Sequence, residues 1–181
     1  PLICFAVKSN SNFYLIKEIK ELGLGADVVS IGELMMAIKA GINPSKIVFS
    51  GVGKTSYEID YAINKKILLI NVESKNEVFE IENIAKLKKK VVNIGIRLNP
   101  NTDAKTLSQI STGKKENKFG VNEKEFFEII QYCKNSKNIN LKCLSVHIGS
   151  QILNHKPYEK MLNVIDKIIR KSNFEFEFID L

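Results

Sequence analysis

The residues best placed for chemistry stand where apolar runs end. The first run, Ile3-Cys4-Phe5-Ala6-Val7-Lys8-Ser9-Asn10, reads as a short buried strand that reaches a lysine and breaks into a polar turn. At period two, Ile3, Phe5 and Val7 form one bulky face, and Cys4, Ala6 and Lys8 form the other. The second face runs small, small, ammonium, which leaves room beside an amine for an aldehyde bonded to it. The plainer alternative is a lysine that ends a strand and snorkels to water.

Other candidates share this position. His147 closes the run Leu141–His147, on the same parity as Cys143 and Ser145. Gly149 beside it leaves space above a flat ring, and Ser150 follows with a hydroxyl able to hold a phosphate. Lone histidines at strand ends are more often structural than catalytic, and His155, in a polar loop, is given no role. Arg97 stands next to the end of the run Val91–Leu98, on the same face as Asn93 and Gly95. Asp27 lies within the run Ala26–Ser30, and an inward carboxylate there needs a cation, for which Arg97 and Lys8 are the candidates. Ser50-Gly51-Val52-Gly53-Lys54-Thr55 imitates a nucleoside-triphosphate loop, but the position that must be glycine is Val48, inside a strand. A tight strand-to-helix turn accounts for those glycines. The segment Ser111–Gly120 is a surface loop or a lid. Two histidines so placed make no metal site, and Cys4, Cys133 and Cys143 lack zinc or disulfide spacing.

These groups must be positioned by the elements around them. Apolar strand-like runs alternate with helix-period segments along all 181 residues, which predicts parallel βα units in one domain. The glycine fingerprint of a dinucleotide sheet is missing after strand one. Polar residues instead sit at nearly every strand end: Lys8, Ser30, Ser50, Asn71, Glu73, Arg97, Asn99, His147 and Asp180. That pattern belongs to a (β/α)8 barrel, whose chemistry gathers at the strands' C-terminal ends. If the small or polar faces line the interior, Lys8, Arg97 and His147 converge at the mouth. Residues 99–122 form a polar connection far longer than packing needs.

Composition narrows the partners. A net charge of +7 invites a nucleic-acid reading. The lysines are scattered, though, and arginine occurs only at 97 and 170, which argues against phosphate or base-edge readout. No apolar run is long enough to span a bilayer. The cysteine usage fits a reducing cytoplasm. The chain opens in mid-strand, which predicts that it is a segment of a longer protein.

Taken together, Phe5–Asn10, Gly25–Ser30, Ser50–Thr55, Asn71–Ser74, Ser111–Gly120, His147–Gln151 and Ile179–Leu181 resemble the fold-type III pyridoxal-phosphate-dependent decarboxylases. The Ser-Thr-Gly…Glu-Asn-Lys-Phe-Gly loop is similar to the diaminopimelate branch rather than the ornithine or arginine branches. The resemblance implies pyridoxal 5'-phosphate as cofactor, with Lys8 holding it, His147 stacked on its ring and Ser150 at its phosphate. It implies that Asp27 and Arg97 organise the site, and that Ser111, Thr112, Gly113, Asn117 and Lys118 belong to a substrate-facing lid. The reaction implied removes the carboxylate at the D-centre of meso-diaminopimelate, giving L-lysine and carbon dioxide, in a homodimer whose site lies at the subunit interface. The family's β-rich second domain, glycine-rich phosphate loop and eighth-strand acid are not in this sequence. The expectation is therefore seven strands of an eight-strand barrel, inactive alone. Another type III decarboxylase or a catalytically dead, partner-binding homologue are the competing readings.

Overall fold

The computed structural model describes residues 1–101 and 119–181. Seven strands form one parallel sheet in the order in which they occur along the chain: β1 Cys4–Ala6, β2 Gly25–Val28, β3 Ile47–Phe49, β4 Leu69–Val72, β5 Val92–Arg97, β6 Ile139–Ser145 and β7 Phe178–Asp180. Helices α1 Phe13–Glu21, α2 Ile31–Lys39, α3 Ser56–Lys65, α4 Lys75–Leu87, α5 Glu123–Asn135 and α6 Lys156–Ser172 connect them.

The sheet is curled, and one hydrogen bond proves it. Asn71 on β4 donates through Nδ2 to Asp180 Oδ2 on β7 at 2.8 Å. Three strand spacings of about 4.8 Å would hold those positions roughly 14 Å apart in a flat sheet. Only a barrel-like curvature brings them into contact, as the expected partial (β/α)8 barrel requires.

Period-two alternation sorts the strands into two faces. Ala26, Val28, Ile47, Phe49, Ile70, Val72, Ile94, Ile96, Leu144 and Val146 point outward and join the main core beneath the helices. Cys4, Val48, Leu69, Cys143 and Phe178 form a separate small cluster on the inner side. The division expected for the first, fifth and sixth runs holds. The bounds differ in one instructive place: β1 stops at Ala6, and Val7–Ser9 form a turn of 3-10 helix. Val7 still packs in the outer core, whereas Lys8 is carried out on the turn rather than on the strand. The seventh strand is also shorter than its apolar run. Phe174 and Phe176 pair with each other at 4.8 Å instead of extending β7.

Helix starts are fixed by the polar residues that follow the strands. Asn12, Ser30, Thr55, Ser74 and Asn122 each accept a backbone N–H from the first turn of α1 to α5, satisfying donors that a helix leaves open. Glu58 also accepts Ile31 N at 3.0 Å, and Glu125 accepts Lys75 N at 3.0 Å, so each of those helix starts is tied to the preceding one. Ser30, one of the strand-end polar residues, is used here as a cap.

Candidate active site

The inward side chains at the C-terminal ends of the strands form one hydrogen-bonded belt. Ser50 Oγ donates to Asp27 Oδ1 at 2.6 Å. Asn71 Nδ2 donates to Ser50 Oγ at 3.3 Å and to Asp180 Oδ2 at 2.8 Å. Ser145 Oγ completes the run by donating to Asp180 Oδ2 at 2.7 Å. Five strands thus contribute to a polar layer lying over the small apolar floor. The floor thiols of Cys4 and Cys143 are pushed up by burial, Cys4 to about 11, and stay protonated.

Above the belt stand the charged groups. Lys8 is exposed on its turn, yet its charge reaches both Asp27 and His147. Burial pushes the Asp27 carboxyl up to about 6; Asp180 adds to the rise, and the Ser50 hydroxyl and Lys8 oppose it. Burial pulls His147 down to about 4, reinforced by the positive charges of Arg97 and Lys8. The imidazole is therefore neutral near pH 7. Ser150 is exposed on the loop leaving β6, three residues beyond His147, between Gly149 and the left-handed Gln151.

Arg97 departs from its expected partner. Its Nη1 donates to Glu73 Oε1 at 2.7 Å rather than neutralising Asp27, whose direct contact is the Ser50 hydroxyl. Glu73 Oε2 accepts Gly120 N at 2.7 Å, and the Phe119 ring lies 4.9 Å from the guanidinium carbon. Gly120 is left-handed (φ 73°), and a Cβ there would come within 2.8 Å of the Arg97 carbonyl oxygen. The Phe-Gly ending of the long loop is therefore explained by the seat it takes on the Arg97–Glu73 pair. Ser111, Thr112, Gly113, Asn117 and Lys118 lie outside the described residues. Glu73 and Ser50 were both visible as strand-end residues. Extending the parity of Leu69 and Asn71 by one more step would have turned Glu73 inward as well.

The Gly-Lys-Thr segment has a structural role. Lys54 Nζ, its side chain only 2% exposed, donates to Gly51 O, Asn71 O and Glu77 Oε1 at 2.6–2.7 Å. Glu77 Oε2 in turn accepts Glu73 N at 2.8 Å. All three ammonium hydrogens are used between two loops, so none is available to a phosphate.

A lysine amine, a neutral imidazole and a ring of hydroxyls and carboxyls gather at the mouth of a curled βα sheet. The family model described as "Pyridoxal-dependent decarboxylase, pyridoxal binding domain" matches residues 1–181. The diaminopimelate decarboxylase of Helicobacter pylori strain J99 is 49% identical over 93% of this chain and 42% of its own length. That of Aquifex aeolicus is 42% identical over 99% of the chain and 44% of its own. The H. pylori enzyme solved in complex with L-lysine superposes with a TM-score of 0.95 at 45% identity, over 98% of this chain and 46% of that one. The chain belongs to the pyridoxal-binding domain of the pyridoxal-dependent decarboxylases, and it spans less than half the length of these relatives.

Proposed function

We propose that the protein to which this chain belongs decarboxylates meso-diaminopimelate to L-lysine with pyridoxal 5'-phosphate. The observation that carries the reading is the similarity of nearly the whole chain to enzymes of that name, one of them solved with L-lysine. The donor set fits the cofactor: an exposed primary amine for the aldehyde, an uncharged flat imidazole for the ring, and the Ser150 hydroxyl for the phosphate. When bound, that group takes up the electron pair released as the carboxylate leaves.

The chain's own residues do the rest. Lys8 holds the cofactor and, once freed by the substrate amine, carries a proton on Nζ. Asp27, its carboxyl pushed up to about 6 by burial and within reach of the Lys8 charge, takes or returns that proton. Neutral His147 packs against the ring without adding a competing charge. Arg97, fixed by Glu73, supplies the positive field at the mouth. Ser111, Thr112, Gly113, Asn117 and Lys118 contribute to substrate recognition. The working enzyme is a cytoplasmic homodimer whose partner subunit completes the site.

The test is carbon dioxide release by the full-length protein from meso-diaminopimelate, ornithine and arginine. Turnover confined to meso-diaminopimelate supports the reading. A preference for ornithine or arginine would replace the substrate, and no turnover of any would favour a partner-binding homologue.

A further inference from the structure

Asn71 sits at the centre of the inner belt, completely buried. Its amide nitrogen places both hydrogens, one on Ser50 Oγ and one on Asp180 Oδ2. Its Oδ1 is, among the described residues, the one buried side-chain polar atom without a hydrogen-bond partner. Such an orphan normally costs stability and calls for a reason.

The reason lies on the neighbouring strand. Gly95 is the register partner of Asn71, and a Cβ on Gly95 would fall 2.1 Å from Asn71 Oδ1. The carbonyl oxygen is lodged in the notch that glycine leaves. Turning the amide over would point that oxygen at the Asp180 carboxylate, a repulsive contact, so the orientation is set from both sides. A hydroxyl has a single hydrogen. Because Ser50 Oγ accepts from Asn71, its own hydrogen is directed to Asp27 Oδ1.

We infer that Asn71 is a positioning residue whose carboxamide, seated in the Gly95 notch, turns the Ser50 hydroxyl onto Asp27 and so sets the acidity of that carboxyl. Several other groups face that carboxyl and are unchanged by the device: Cys4 from β1, Lys8 from the turn after it, Glu33 from α2, and Asp180 from β7. Cys143 from β6 and His147 just beyond it face Asp180. Asn71 differs from all of them in acting through a hydroxyl rather than by charge. The consequence for proton transfer at Lys8 rests on the proposed function; the relay itself does not.

The experiment follows the Asp27 carboxyl by 13C NMR against pH in the full-length protein, assigned with D27N. Ser50's hydrogen bond favours the carboxylate, so S50A raises the midpoint, by about half a unit to one unit. N71L raises it in the same direction, and S50A/N71L raises it no further than S50A alone. G95A raises it by pushing the amide out of its notch. N71A/G95A matches N71A, because the added methyl then has space. An Asp27 midpoint unmoved or lowered in N71L and G95A, or additive shifts in S50A/N71L, overturns the relay. Should N71L not fold, G95A and N71A/G95A carry the same test. If the midpoints move as stated but the pH dependence of turnover does not, the relay stands and the proposed partnership of Asp27 with Lys8 falls.

Discussion

The two sides of one sheet are made from the same short strands and are held together by different physics. Outside, Phe49, Ile70, Ile94, Ile96 and Leu144 bury their side chains against the helices in a continuous apolar core. Inside, Asp27, Ser50, Asn71, Ser145 and Asp180 are joined by directional hydrogen bonds over a floor of small or apolar side chains. The outer side tolerates change in proportion to volume. The inner side fails by geometry, because each donor is committed to a named acceptor. The fold is carried by one face and the proposed chemistry by the other.

That contrast is broken most severely at Lys8. On the proposed function, K8A in the full-length protein removes both the attachment point and the proton carrier, and turnover falls by at least about 10³-fold, proton transfer alone being worth about 10²–10⁴. Thermal unfolding of the cofactor-free protein should hardly change, since Lys8 is exposed. Turnover within tenfold of the parent would remove Lys8 from the mechanism.

Phe126, completely buried against Phe127 and Phe176, sharpens the comparison from the other side. F126A should lose about 3–5 kcal/mol in denaturant unfolding, with the midpoint of Asp27 unmoved. Between the two faces lies the Lys54–Glu77 pair, buried on both partners. E77Q leaves the ammonium uncompensated and releases Glu73 N, costing about 3–5 kcal/mol. It should also loosen the seat of Arg97, seen as a weaker proton-exchange protection of the Gly120 amide.

The smallest effects are the pH-dependent ones. The folded chain keeps a proton on Asp27 up to about pH 6, whereas the unfolded carboxyl loses it near 4. Stability therefore falls as pH rises from about 4 to 6, and the cost is complete above that window. D27N removes it, so the variant should gain about 1–3 kcal/mol over the parent above pH 7 and little at pH 4. His147 runs the opposite way. The unfolded ring takes a proton near 6.5 and the folded one near 4, so stability falls as pH drops through that window. H147N should flatten that fall.

The strands of the inner face were legible where their alternation was clean. Cys4 and Ala6, Gly95 and Arg97, and Cys143 and Ser145 all lie inward as period two requires. The strand-end polar residues also announced a barrel mouth. Lys8 was placed one element too early, because a three-residue 3-10 turn leaves no periodic trace. The partnership of Arg97 with Glu73, and of Asp27 with Ser50, was not readable, since pairing between adjacent strands depends on register and curl rather than on composition. The Asn71–Asp180 bond, spanning 109 positions, exists only because the sheet bends.

The most direct measurement is borohydride reduction of the full-length protein loaded with pyridoxal phosphate, followed by mapping of the tagged peptide. The label is predicted on Lys8, in the turn that follows β1. A label on Lys54, Lys118 or any other lysine, with Lys8 unmodified, would contradict the account.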